Sequence, residues 1–306
     1  DGEPMGLATG ASYLLARTEI WREPFAEEKY WLAAMEWADR NGADIVNSSL
    51  GYIHHRYFPE QMDGQTSLIS RAANLAAKKG ILVVNAAGNE GDRASWRIIV
   101  TPADADSVLT VGAVELPSGL RAPFSSVGPT ADKRMKPNLV ALGYVRVAGS
   151  RGYSNKQGTS FSSPLVAGFA ACLWQMYPEW TNMQVFQAME RSGSLYPYYD
   201  YDHGYGIPQA AYFFQHPVSI NLPTFDLIKE NDHIKAIIRF QTENNHHLIE
   251  KHPYMYYHIR SREGDLLQYA VVRVEQYEVL SLNVNSFKPG QRLFVHYAGH
   301  TSSWQF

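Results

Sequence analysis

A single cysteine, Cys172, stands among 306 residues, which excludes an intramolecular disulfide framework. It lies in Ala170-Ala171-Cys172-Leu173-Trp174, an apolar helical stretch, so a buried, inert thiol is expected rather than a nucleophile. Excess charge is also scarce. A net charge of −3 argues against a general polyanion-binding role, and so against nucleic acid as a partner. The uncharged run from Gln157 to Pro178 has the length of a membrane span, but Gly158, Thr159, Ser160, Ser162, Ser163, Pro164 and Gln175 interrupt it. A central buried helix is expected there instead. Internal repeats and low-complexity segments are lacking. The chain opens at Asp1 without a methionine or apolar leader, so it records no targeting signal. His54-His55 and His246-His247 lack metal-ligand spacing with cysteines or acids and are expected on exposed loops. Asp104-Ala105-Asp106-Ser107 alternates acids as calcium loops do, but lacks the glycine and distal glutamate of an EF-hand; a solvated loop leading into Val108 is expected.

What is present suffices for a large core: 45% of residues are apolar, and the length allows one large domain or two. Residues 12–18 read as a strand, 27–40 as a helix with Trp31, Ala34, Met35 and Ala38 at helical spacing, and 44–48 as a strand. A helix over 67–79, through Leu68, Ala72, Leu75 and Ala76, and a strand at 81–84 follow. This alternation predicts a parallel sheet covered by helices, with functional residues on loops just past the carboxyl ends of the strands. Further strands are expected at 108–114 and 138–142, then a helix from Ser160 to about Tyr177 with Leu165, Phe169, Cys172, Leu173 and Met176 on a broad apolar face, and a helix near 183–191. From about His216 the texture changes to alternating β-branched and aromatic residues, at 234–240, 254–260 and 292–297, with turns at Glu263-Gly264-Asp265 and Lys288-Pro289-Gly290. A small antiparallel β-domain, sandwich-like, is expected. Its tyrosines (Tyr254, Tyr256, Tyr257, Tyr269, Tyr277) could stack sugars for surface attachment, but their alternate positions fit a sheet core better.

The chemistry-bearing segment is Gly158-Thr159-Ser160-Phe161-Ser162-Ser163-Pro164, directly before the apolar helix. It places a serine hydroxyl at a helix start, where backbone N–H groups and the helix dipole favour negative charge. A nucleophile attacking a carbonyl needs that environment for the oxyanion that develops beside it. Upstream, Ile81 to Gly91 runs an apolar strand into Ala86-Ala87-Gly88-Asn89-Glu90-Gly91, and Asp44 to Gly51 runs another into Ser49-Leu50-Gly51. With Val111-Gly112-Ala113 and Phe124-Ser125-Ser126-Val127-Gly128-Pro129, these blocks stand in the order found in the subtilisin-like serine proteases, and residues 6–213 resemble that family.

The resemblance implies an α/β fold, a subtilisin-like parallel sheet with helices on both faces, over 1–215, and leaves 216–306 as a β-rich accessory domain. It makes Ser160 the nucleophile and Asn89 the side-chain donor to the oxyanion. Ser49, Leu50 and Gly51 would pair with an extended peptide, and Ala86, Ala87, Gly88 and Thr159 would line the site. Asn47-Ser48-Ser49 is formally a glycosylation sequon, expected to be unused on a buried substrate strand. The implied partner is a peptide or protein substrate. No cofactor is implied; structural calcium is common in the family, but no site is placed. Secretion or a cell-envelope location follows only from the family's habits.

Two triad members do not match. In the family an aspartate and a His-Gly-Thr histidine precede the segment matching Gly6 to Tyr13, and Asp1 is too close to be that acid. Asp202-His203-Gly204 imitates a His-Gly signal but falls in the closing turn, after the nucleophile helix. Either an N-terminally truncated protease or a degenerate, noncatalytic peptide-binding relative is implied. Intact Ser160, Asn89 and Ser-Leu-Gly favour the former, which on its own would be inactive.

Overall fold

The computed structural model describes residues 6–20, 25–53, 56–149, 152–214, 223–239, 249–276 and 278–306. The chain forms two compact units, residues 1–193 with 201–208, and residues 194–200 with 209–306.

In the first unit, α1 (Ala26–Arg40), β1 (Ile45–Ser48), α2 (Leu68–Lys78), β2 (Leu82–Ala86), β3 (Val108–Val114) and β4 (Leu139–Leu142) follow in order. The strands form one parallel sheet in the order β1-β2-β3-β4, with Val46 beside Val83, Val84 beside Leu109 and Val111 beside Leu139. All residues of β2 and β3 are buried, as a sheet covered on both faces requires. On one face Val83 and Val108 pack with Trp31, Met35, Ile69 and Ala73 of α1 and α2. Alternate strand residues point the other way, toward α3 (Thr159–Met176), which runs across all four strands. Burying each Val or Ile of this core contributes about 1.5–3 kcal/mol. Ser162 Oγ donates to the Ala141 and Leu142 carbonyls, and Ser163 Oγ to Asn47 Oδ1 at 2.7 Å. The start of α3 is thereby fastened to both edges of the sheet. A hairpin of β5 (Tyr144–Gly149) and β6 (Gly152–Gln157), not foreseen from the sequence, leads into α3, and α4 (Asn182–Arg191) follows.

Several expectations need correction. Residues 12–18 form no strand: Leu15 is 86% exposed and no neighbouring strand pairs with the segment among the described residues, so its apolar pattern finds no ladder. Cys172 is exposed. The helix is apolar all round, and the side that meets the sheet carries Ser162, Ser163, Val166, Ala167, Ala170 and Leu173; of the face expected to be buried, only Leu173 is. Leu75 of α2 is likewise exposed, because the buried stripe runs through Ile69, Ala72, Ala73 and Ala76. Asp104 is not solvated: its carboxylate is fully buried, accepting from the Gly64 N–H at 2.7 Å and Ser70 Oγ at 2.5 Å, and burial raises its pKa. Asn47 lies on the exposed edge strand rather than a buried one. His54-His55, His246-His247 and Tyr277 lie outside the described residues.

The second unit contains two antiparallel sheets. One has β9 (Tyr254–Arg260), β10 (Leu266–Arg273), β12 (Arg292–Tyr297) and β13 (His300–Gln305) in the order β10-β9-β12-β13; the other has β7 (Phe225–Glu230), β8 (His233–Ile238) and β11 (Glu278–Asn283) in the order β11-β8-β7. One core draws on both, with Phe225, Ile234 and Ile238 beside Met255, Tyr257, Leu293 and Val295. Segment 194–200 belongs to this unit. Tyr198 is buried, its hydroxyl donating to Asp200 Oδ2 at 3.1 Å and the Tyr257 carbonyl at 3.2 Å, and its ring stacks on His258.

Candidate active site

Gly158 ends the hairpin with φ 148° and ψ 150°, backbone that a side chain disfavours, and its N–H donates to the Gly143 carbonyl at 2.9 Å. That turn delivers Thr159 and Ser160 into the first turn of α3. Thr159 is buried and makes two bonds to one atom: its N–H donates to Asn89 Oδ1 at 2.9 Å and its hydroxyl donates to the same oxygen at 3.1 Å. The Gly88 N–H donates to Thr159 Oγ1 at 3.3 Å. With its oxygen occupied, the Asn89 carboxamide presents its Nδ2 hydrogens, which have no acceptor among the described residues. A methyl placed on Gly158 would lie 3.6 Å from Asn89 Nδ2, 3.7 Å from Asn89 Oδ1 and 3.8 Å from the Ser160 nitrogen. Two N–H donors therefore border one small space at a helix N-terminus, an arrangement able to hold a developing oxyanion.

Ser160 and Ser49 bond reciprocally. Ser160 Oγ donates to the Ser49 carbonyl at 3.1 Å, and Ser49 Oγ donates to the Ser160 carbonyl at 3.0 Å. The loop after β1 thus lies against the first turn of α3. Gly51 approaches Val100 so closely that a Cβ would stand 2.2 Å from Val100 Cγ2; at Gly88, φ 110°, it would stand 2.6 Å from Val100 Cγ1. Both loops close on the same valine. The Gly51 N–H and C=O have no partner among the described residues, leaving that backbone open to pairing with another chain.

Of the residues singled out from the sequence, Ser49, Leu50, Gly51, Gly88, Asn89, Thr159 and Ser160 come together. Ala86 and Ala87 are buried behind them, and the Ala87 methyl packs with Ile99 and Ala103. Asn85 escaped notice: it is fully buried, and its Nδ2 donates to the Leu50 carbonyl at 3.1 Å and the Ala86 carbonyl at 2.8 Å, tying the two loops from beneath. Ser126 supports the next loop, its Oγ accepting from the Glu90 N–H at 3.1 Å. An amide ending an otherwise apolar strand was the available signal for Asn85. His203 is buried in the closing turn, where its Nε2 accepts from the Arg121 N–H at 3.2 Å, a structural role. Among the described residues no cluster of His, Cys, Asp and Glu could hold a metal ion, and no helix is long and apolar enough to cross a membrane.

Comparison with known proteins finds similar sequences and structures. The chain is 39% identical over 154 residues to subtilisin DY of Bacillus licheniformis, covering 50% of this chain and 51% of that protein. It is 35% identical over 191 residues to subtilisin NAT of Bacillus subtilis subsp. natto, covering 62% and 46%. It thus spans about half the length of these relatives. The solved structure described as S41 psychrophilic protease matches with a TM-score of 0.48 at 26% identity, over 60% of this chain and 63% of that one. The model described as the subtilase family matches residues 4–206, two thirds of the sequence, and the chain belongs to that family.

Proposed function

We propose that this chain is the nucleophile-bearing part of a serine endopeptidase. Ser160 Oγ attacks the scissile carbonyl to form an acyl-enzyme, and the oxyanion is held by Asn89 Nδ2 and the Ser160 N–H. The peptide lies extended along Ser49, Leu50 and Gly51, and Ala86, Ala87, Gly88 and Thr159 shape the wall of a pocket for an apolar side chain. The proton acceptor is the imidazole of the family's His-Gly-Thr block, steadied by its aspartate; neither block occurs in residues 1–306. No cofactor takes part in these steps. Residues 216–306 form the bulk of an accessory domain whose two sheets over one core support a sandwich, and the protein acts outside the cell, as its relatives' family suggests.

The observation that carries this reading is the pair of Thr159 bonds on Asn89 Oδ1, which occupies the carboxamide oxygen at the helix start that bears Ser160 and leaves Nδ2 as the group free to donate. A fluorophosphonate, with peptide mapping, tests it on the full-length protein carrying the aspartate and histidine blocks. Ser160 becomes the labelled residue and Ser160→Ala abolishes both labelling and hydrolysis; unchanged hydrolysis by Ser160→Ala refutes the assignment. Residues 1–306 alone turn over substrate negligibly, since loss of the histidine costs on the order of a millionfold in subtilisin, a measured magnitude carried over from that relative. One observation favours a second reading, a noncatalytic peptide-binding relative: the Ser160 hydroxyl donates to the Ser49 carbonyl rather than to a base. Peptide binding without labelling of the full-length protein would establish it.

A further inference from the structure

One cleft in the first unit is not used by this chemistry. It has a volume of about 400 Å3 and is lined by Val114, Glu115, Leu116, Leu142 and Tyr144. Its apolar walls face water: Leu116 is 65% exposed and Tyr144 43%. The Tyr144 ring is steadied edge-on against Phe124, with centroids 5.5 Å apart. Glu115 has a fixed backbone, its N–H donating to the Leu120 carbonyl at 3.0 Å and its carbonyl accepting from the Gly119 N–H at 2.8 Å. Glu115 is half-buried as a residue, and its carboxylate has no ion-pair or hydrogen-bond partner among the described residues. Arg121, bridged by backbone to Val114, is committed elsewhere: its Nε faces Asp202 at 3.4 Å and its Nη1 donates to the carbonyls of Ala122, Pro123 and Ser125. A lone carboxylate against apolar walls complements a ligand with a methylene stem and a cationic end.

The cleft's place in the fold says which ligand reaches it. Val114 ends β3 and Leu142 ends β4, so it opens at the same carboxyl edge of the sheet as the Ser160 site. The loops that would receive the acyl side of a peptide follow β1 and β2, and the turn bearing Ser160 is bonded to Gly143 just past β4. With strands about 4.8 Å apart, the ends of β3 and β4 lie about 10–15 Å from that of β1. A peptide laid along Ser49–Gly51 and across Ser160 carries its leaving-group side toward the cleft. At about 3.3 Å per residue this span is about three to five residues from the loop after β1; with the first of them on the acyl side, a side chain two to four residues beyond the scissile bond reaches it.

We propose that this cleft is a leaving-group-side subsite for a lysine or arginine side chain of the substrate, and that Glu115 is the residue that selects it. The proposal rests on the protease reading above. The test is hydrolysis by the full-length protein of matched peptides carrying lysine, norleucine or glutamate at the second, third or fourth position after the scissile bond. At one of these positions lysine raises kcat/KM about three- to fivefold over norleucine, the size of a single solvent-accessible ion pair. Glu115→Gln removes the difference, and Glu115→Lys reverses the order of lysine and glutamate. Equal rates for lysine and norleucine at all three positions, or a preference that survives Glu115→Gln, overturn the proposal. Failure of the protease reading looks different: no peptide is cleaved and Ser160 is not labelled. Fluorescence anisotropy of the same peptides then decides the cleft. Tighter binding of the lysine peptide that Glu115→Gln abolishes supports it, and equal binding of lysine and norleucine peptides overturns it.

Discussion

Thr159 directs both its backbone and its side-chain donor at one carboxamide oxygen, so the orientation of Asn89 is set by its neighbour rather than by itself. Removing the carboxamide and removing what aims it should therefore differ in size. In the full-length protein, Asn89→Ala lowers kcat about a hundred- to a thousandfold, a magnitude known from a subtilisin and carried over to this relative. Thr159→Val keeps the N–H bond and loses the hydroxyl bond, worth about 1 kcal/mol, so its loss in kcat stays near fivefold. Steady-state kinetics on both variants checks the ratio; equal losses would mean that Thr159 does more than orient. The candidate residues were singled out by the order of the family's blocks, because small or amidic residues just past apolar strands serve equally well as caps and turns. For Asn85 the amide in an apolar strand was the whole signal, and nothing local says that it binds two carbonyls rather than simply ending the strand.

Among the elements, α2 shows how a helix start and a buried network share residues. Ser67 caps α2 by accepting from the Ser70 N–H at 3.0 Å, and its hydroxyl also meets Thr101 Oγ1, which contacts Ser70 Oγ and so continues to Asp104. Ser67→Ala removes the cap, about 1 kcal/mol, and leaves a buried hydroxyl partner short of a bond, so the total approaches 2–3 kcal/mol. The urea midpoint measures it, with Leu75→Ala on the exposed side of the same helix as a near-neutral control. The strand–helix alternation, and hence the parallel sheet, was readable from apolar periodicity. The burial of Asp104 was not, since its partners at Gly64 and Ser70 are distant in sequence. Nor was the facing of α3: a helix apolar on every side gives its period no phase. The β5–β6 hairpin hid for the opposite reason, being exposed along nearly its whole length.

At the scale of the whole molecule, acid acts on the second unit. His258 and His296 are buried, and burial pushes both imidazoles down to about 4; Arg260 adds to this at His258, and His300 and His252 add at His296. His258 Nδ1 meets the Tyr199 carbonyl at 2.6 Å, and Arg260 Nε donates to its Nε2 at 3.1 Å. An unfolded imidazole titrates near 6.5, so below that pH the unfolded chain takes up protons that the folded unit refuses. Stability is full above about 6.5, falls as the pH drops toward 4, and levels off below, by up to about 3 kcal/mol per histidine. Urea midpoints between pH 7 and 4 should show this slope, and His258→Gln with His296→Gln should flatten it. The ring that stacks on His258 belongs to a seven-residue detour: the chain leaves the first unit after Gly193, returns at Tyr201 and departs again after Pro208. No single break in the polypeptide yields either body whole. Cutting the gene at the last joint would strand the Tyr198 ring without its shelter, so the tail is not an appendage that an engineer can unclip at one seam.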